Sequence, residues 1–241
     1  MAQTSPRETL DRNIQQLKDD ILVLGSMVEL ALLKSVEALK RRDLALAQRI
    51  YDGDIRVNSK RFDIENDALV LIATQQPIAR DLRILASVLD VATELERIGD
   101  YAKGIAKVCL MMGSQAPIKP LIDIPYMAQL DADMLHRALA AFVDADAKTA
   151  EQIPSEDDLV DELYNQVFRE LITYMLADPS TIDRANFLLW VAHNLERAAD
   201  RVTNICERTI YVATGKMKEI DISDDEKKKI ELIQSVKNNF P

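Results

Sequence analysis

Glu96 and Asp100 stand four residues apart, and so do Glu196 and Asp200. On a helix that spacing puts both carboxylates of a pair on one face, where like charges repel by about 0.2–0.5 kcal/mol. The stretches that carry them, Leu95-Glu96-Arg97-Ile98-Gly99-Asp100 and Leu195-Glu196-Arg197-Ala198-Ala199-Asp200, recur at a shift of one hundred residues, and Leu89, Val91, Ala92 and Ile105 meet identical residues at the same shift. Shared Glu, Arg and Asp within one register mark an internal repeat. Two further polar pairs have the same spacing, Asp54 with Asn58 and Asp157 with Asp161. Clustered oxygen ligands of this kind suit Mg, Ca and Mn and are accepted by Fe. Two chemistries are open on spacing alone: a metal site in each half, or surface ion pairs in which Arg97 and Arg197 neutralise the acids at little gain per pair.

The elements that must position these residues are helices. Leu10, Ile14, Leu17, Ile21, Leu24 and Val28 alternate steps of four and three, the seam of a long helix running to about Arg41. Asp43 can cap a second helix, whose Leu46, Ile50, Val57, Ile64, Ala68 and Leu71 keep the period until Gln75-Gln76-Pro77, since proline disfavours helical geometry in the residue before it. A third helix carries Ile78, Leu82, Leu85, Leu89 and Ala92, and its face drifts to Leu95, Ile98, Ala102, Ile105 and Cys109. Gly113-Ser114-Gln115-Ala116-Pro117 and Pro120 then divide the halves. The second half repeats the plan: a helix from Tyr126 to Phe142, segments from Asp144 to Tyr174 interrupted near Pro154, a turn at Asp178-Pro179-Ser180, and a long helix stopped by Gly215. The expected fold is all-α, two tandem three-helix bundles over 1–115 and 116–215, with a tail over 216–241 in which Ser223 could cap a short charged helix.

Antiparallel helices rise equally from their shared turn, about 1.5 Å per residue. Counting from Gln75 and Gln76, Asp54 is level with about Arg97, which sets Asp54 and Asn58 beside Glu96 and Asp100. Counting from Pro179, Asp157 and Asp161 come level with Glu196 and Asp200. Glu29, mirrored across the turn near Arg42, reaches the same height on the first helix. Each bundle thus gathers three or four oxygen-bearing side chains at one level.

Forty acidic against 30 basic residues give a net charge of −10, which argues against gripping nucleic acid or an anionic membrane. The polar start from Met1 to Arg12 lacks the apolar core of a signal peptide, and no apolar run is long enough to span a bilayer. The expectation is a cytoplasmic protein with no nucleic-acid partner and no membrane insertion. Cys109 and Cys206 fit no ligand spacing and read as buried and reduced. Asp133-Met134-Leu135-His136 is half of a ferritin-type iron motif without the second half that chemistry needs, and His193 stands one turn before the second acidic pair. Trp190 and the methionines read as core.

The chain resembles the PhoU family over nearly its whole length. The resemblance rests on Gly25-Ser26-Met27-Val28-Glu29, Asp52-Gly53-Asp54-Ile55-Arg56-Val57-Asn58, Gln76-Pro77 with Asp81-Leu82-Arg83, and Glu94 to Asp100. In the second half it rests on Asp157-Asp158-Leu159-Val160-Asp161, Thr173-Tyr174-Met175, Asn194 to Asp200, and Asn204-Ile205-Cys206-Glu207. It implies paired three-helix bundles whose motif, Glu or Asp, three residues, then Asp, binds multinuclear iron or other cations in some members. The implied ligands are Asp54, Glu96, Asp100, Asp157, Asp161, Glu196 and Asp200, and the implied cations Fe, Mn, Mg or Zn. Two departures stand out: Asn58 replaces an acid, which would weaken one site, and Ala198-Ala199 replaces the usual Ile-Gly. The implied role is negative regulation of phosphate uptake and phosphate-starvation signalling. In it a homodimer acts as adaptor between a phosphate ABC transporter's ATPase and a phosphate-sensing histidine kinase. The rival is a carboxylate-bridged metal oxidase or phosphatase, which normally needs nitrogen ligands or a positioned base; two histidines in the chain count against it.

Overall fold

A computed structural model describes residues 6–220, and the tail helix expected after Ser223 lies outside them. Seven α-helices follow one another: α1 Pro6–Arg41, α2 Leu44–Gln75, α3 Arg80–Met112, α4 Asp123–Asp144, α5 Ala147–Gln152, α6 Asp157–Ala177 and α7 Ile182–Thr214. There is no strand among the described residues. The first-helix seam is the core: Leu10, Ile14, Leu17, Ile21, Leu24 and Val28 are all buried. Asp43 caps α2, its side chain accepting from the Leu46 amide at 2.8 Å. Asp146 caps α5 in the same way. Gly215 closes α7 in the left-handed conformation, φ +74°, where a Cβ would be strained.

The interruption expected near Pro154 is a 3₁₀ turn, Ile153–Glu156, between α5 and α6. Proline at its start is tolerated because the first turn needs no amide from it. One boundary differs from the apolar pattern. Ile78 precedes α3 rather than opening it and is 77% exposed, because Ala79 adopts φ +46° and the helix begins at Arg80. Trp190 is another correction: it is 57% exposed on α7, since the buried stripe of that helix runs through Leu188, Val191, Ala192 and Leu195. Several methionines are core, among them Met127 and Met134, but Met111 and Met217 are exposed.

The bundles lie side by side rather than end to end. α3 packs on α1 and α2 within its own half and on α7 of the other, and α1 packs on α4. α1 and α4 approach closely at Gly25: a Cβ there would sit 2.1 Å from Leu139 Cδ1. Burial of Leu95 and Ile98 on α3 and of Leu195 and Ala198 on α7 fixes the rotation of both helices. Glu96 and Asp100 are thereby turned to the α2 side of α3, beside Asp54, while Glu94, on the side of α3 that faces α7, meets Arg201 and Asn204.

Candidate functional site

In the first half, Asp54 on α2 is the centre of the acidic group and is 6% exposed. Its Oδ2 accepts from Lys103 Nζ at 2.6 Å and from Asn58 Nδ2 at 2.9 Å, while Oδ1 is buried with no hydrogen-bond partner. Glu96 and Asp100 flank it from α3. Burial, then the nearby Asp100, pushes the Glu96 carboxyl above its usual range, and burial, then Asp54, does the same to Asp100. Lys103 responds oppositely: its bond to Asp54 holds the ammonium charged to higher pH. A lysine thus supplies the positive charge that this cluster needs.

Lys103 is missing from the set that spacing predicts, although its position carries a signal. It follows Asp100 by three residues and Glu96 by seven, so it continues their helical stripe. The hairpin count errs for a physical reason. Residues 76–79 are not helical, which moves the centre of the turn toward Pro77 and Ile78 and slides α3 along α2. A Cβ on Gly99 would lie 3.1 Å from Val57 Cγ1, so Asp54 faces the Asp100–Lys103 turn rather than Arg97. Arg97 lies 3.8 Å from Glu94. Glu29 does not join the cluster: its carboxylate is 3.5 Å from His136 Nδ1 on α4, across the α1–α4 interface.

The second half is built differently. At the place of Lys103 it has Thr203, buried, with no hydrogen-bond partner for its hydroxyl. At the heart of α4 it has Asp131, 1% exposed, both carboxylate oxygens without a hydrogen-bond partner. Burial, then the charges of Asp157 and Glu196, pushes the Asp131 carboxyl well above its usual range. It also follows Met127 by four residues and precedes Leu135 by four, both buried, so an acid interrupting an apolar stripe is the signal that could have found it. Glu196 is raised by burial, then by Asp200, against the opposing charge of Arg197. His193 Nδ1 lies 3.1 Å from Glu196, and Arg197 is 3.0 Å from Asp200. Asp157 opens α6, buried, and Asp161 lies one turn on, exposed.

The two clusters thus differ in their fitness for a cation. Among the described residues no three His, Cys, Asp or Glu side chains are drawn close enough together to hold a metal ion, so either cluster would have to close by side-chain rotation. In the first, Lys103 already sits on Asp54 and would compete for it. In the second, the four donors are all carboxylates, a buried acid lies beneath them and a threonine stands where the first has its lysine, and Arg197, 3.0 Å from Asp200, is the cation that a metal would have to displace there. No helix among the described residues is long and apolar enough to cross a membrane.

Similarity to known proteins follows the same repeat. The PhoU domain family model matches twice, over residues 21–109 and 124–209. The chain is 34% identical over 208 residues to the phosphate-specific transport system accessory protein PhoU homolog of Aquifex aeolicus, covering 86% of this chain and 94% of that one. The homolog of the same name from Caulobacter vibrioides is 39% identical over 203 residues, 84% of this chain and 88% of its own. The crystal structure of the phosphate transport system regulatory protein PhoU from Streptococcus pneumoniae superimposes with a TM-score of 0.81 at 31% identity, covering 87% of this chain and 99% of that one. With both halves matched and the fold shared at that identity, the chain belongs to the PhoU family.

Proposed function

We propose that this protein is a non-enzymatic regulator of phosphate uptake and of phosphate-starvation signalling, working in the cytoplasm as an adaptor. Its partners in this reading are the ATPase subunit of a phosphate ABC transporter and a phosphate-sensing histidine kinase, whose output it represses when phosphate is plentiful. A homodimer is the working assembly, with no nucleic-acid partner and no membrane insertion. The observation that carries the reading is kinship across both halves: relatives named as accessory proteins of a phosphate-specific transport system are matched over 84–90% of this chain.

The second cluster is the cation site in this proposal, with Asp157, Asp161, Glu196 and Asp200 as ligands for Fe, Mn, Mg or Zn. The first, Asp54, Asn58, Glu96 and Asp100, takes a cation only in competition with Lys103. A bound cation would relieve the repulsion among the acids and stiffen the α6–α7 hairpin, so partner docking would answer to metal supply. Deleting the gene tests the regulatory reading. Phosphate-starvation genes are expected to turn on in phosphate-rich medium, and unchanged expression overturns it.

A further inference from the structure

A trough of about 550 Å³ runs between α1 and α2, floored by Gly99 and Lys103 of α3. Its walls are apolar, with Met27, Leu30 and Ala31 on one side and Leu46, Ile50 and Val57 on the other. Leu30, 59% exposed, adds open apolar surface to the α1 wall. Four cations border the trough, Lys34, Arg49, Arg56 and Lys103, against one acid, Asp54. Lys34 is paired with Glu37 and Lys103 with Asp54. Arg49 and Arg56 have no ion-pair partner among the described residues. On a chain of net charge −10, a concentration of free guanidinium groups beside an apolar channel selects an acidic visitor.

Shape narrows the visitor further. The α2 wall extends from Leu46 to Val57, about 17 Å at 1.5 Å per residue, or three helical turns. Arg49 and Arg56 are seven residues apart, two turns, and so edge the channel from the same side about 10 Å apart. Gly53 lies between them on the wall. A glycine inside a helix costs about 0.8–1.0 kcal/mol relative to alanine, and packing within this chain does not require it. A Cβ at Gly53 would meet only the Arg56 Nη2, at 3.2 Å, whereas at Gly25 it would collide with Leu139 at 2.1 Å. Only the movable end of the Arg56 side chain covers Gly53, so a second backbone can approach closely there once that guanidinium turns to an acid of the visitor.

We propose that the α1–α2 trough is the docking site for an amphipathic helical segment of a partner protein, apolar on one face and carrying Asp or Glu about two turns apart along its edge. The segment's apolar residues at positions i, i+3/i+4 and i+7 fill the channel between Leu30 and Ile50 and complete a local four-helix arrangement. Its acids pair with Arg49 and Arg56, and its backbone passes over Gly53. The inference rests on the adaptor reading only in expecting a protein as the occupant, and because Asp54 and Lys103 of the first cluster border the trough, it is tested with cations removed.

The test selects 16-residue helical peptides from a displayed library on the full-length protein in EDTA, with no selection for or against any variant. The best peptide is then titrated as a fluorescein conjugate by anisotropy. Apolar residues at helical spacing flanked by acids are expected, with Kd at least tenfold weaker for Arg49→Glu/Arg56→Glu and for Gly53→Leu. The same peptide with Lys in place of its acids should recover binding to the charge-reversed variant. Circular dichroism of each variant separates lost binding from lost folding. Peptides that bind the charge-reversed variant equally well overturn the proposal. So does displacement by ATP at lower concentration than by unlabelled peptide, which would make the trough a small-anion pocket. Sedimentation showing a dimer that the charge reversal dissociates would assign the trough to a second copy and also overturn it. The EDTA keeps the outcome separate from the cation site, and gene deletion tests the adaptor reading by itself.

Discussion

Replacing Asp131 with an asparagine keeps the shape of the side chain and removes its ability to ionise. Asp131 is wholly buried and its native carboxyl holds its proton far above the usual carboxylate range, because burial, then Asp157 and Glu196, oppose the charge. An unfolded aspartate ionises at about pH 3.9. Between that value and the raised native one, folding takes up a proton at Asp131, so its contribution to stability is fully present below the unfolded value and declines as pH rises, by about 1.4 kcal/mol per pH unit. Above the native value the decline stops. The substituted side chain brings its own cost of a buried amide, which displaces the stability curve without tilting it. Urea unfolding of the EDTA-treated protein at half-unit steps from about pH 5 to pH 8 checks this, with the difference between Asp131→Asn and the parent plotted against pH. The variant should gain on the parent by about 1.4 kcal/mol per unit until the native carboxyl ionises. Parallel curves across the whole range would show that Asp131 is charged in the native state and would refute the electrostatic description of the second cluster.

Other consequences are as direct. Lys103→Met leaves Asp54 with Asn58 as its remaining hydrogen-bond partner and should cost about 1–3 kcal/mol in urea unfolding, nearer the lower figure because a third of the lysine side chain is in water. The same variant should gain Mn at the first cluster in equilibrium dialysis, and no gain would show that Lys103 is not competing there. Gly25→Ala puts a methyl group into Leu139 Cδ1 and should lose about 1 kcal/mol of stability, the low end for overpacking because a terminal methyl group can turn; an unchanged urea midpoint would mean that Leu139 moves aside at no cost. Burial pushes the Cys206 thiol up to about 12, so Cys206 should stay unreactive to a disulfide reagent at about pH 8 until the protein is unfolded. Fast labelling of Cys206 in the native protein would contradict its packing.

The helical plan was legible because a buried seam leaves a period, and Leu10 to Val28 shows it without interruption. Caps were legible for the same local reason, since Asp43 needs only its own next three residues to act. Trp190 and Ile78 misled because side-chain type says nothing of which way a stripe turns or where a turn such as Ala79 begins a helix. At the site, the acids could be found from their spacing and repetition. Lys103 and Asp131 depend instead on what lies opposite: Lys103 matters because α2 slides until Asp54 faces it, and Asp131 because α6 and α7 enclose it. Asn58 in place of an acid hinted that the halves are unequal, but the larger asymmetry comes from Lys103 against Thr203 and from the added acid in α4.

The unequal pair of clusters is the centre of the account, and metal content per chain measures it most directly. Elemental analysis after dialysis against Fe or Mn should find that Glu196→Ala/Asp200→Ala abolishes most of the bound metal and Glu96→Ala/Asp100→Ala removes little. Equal losses from the two variants, or metal retained by the first, would contradict the assignment of the cation to the second bundle.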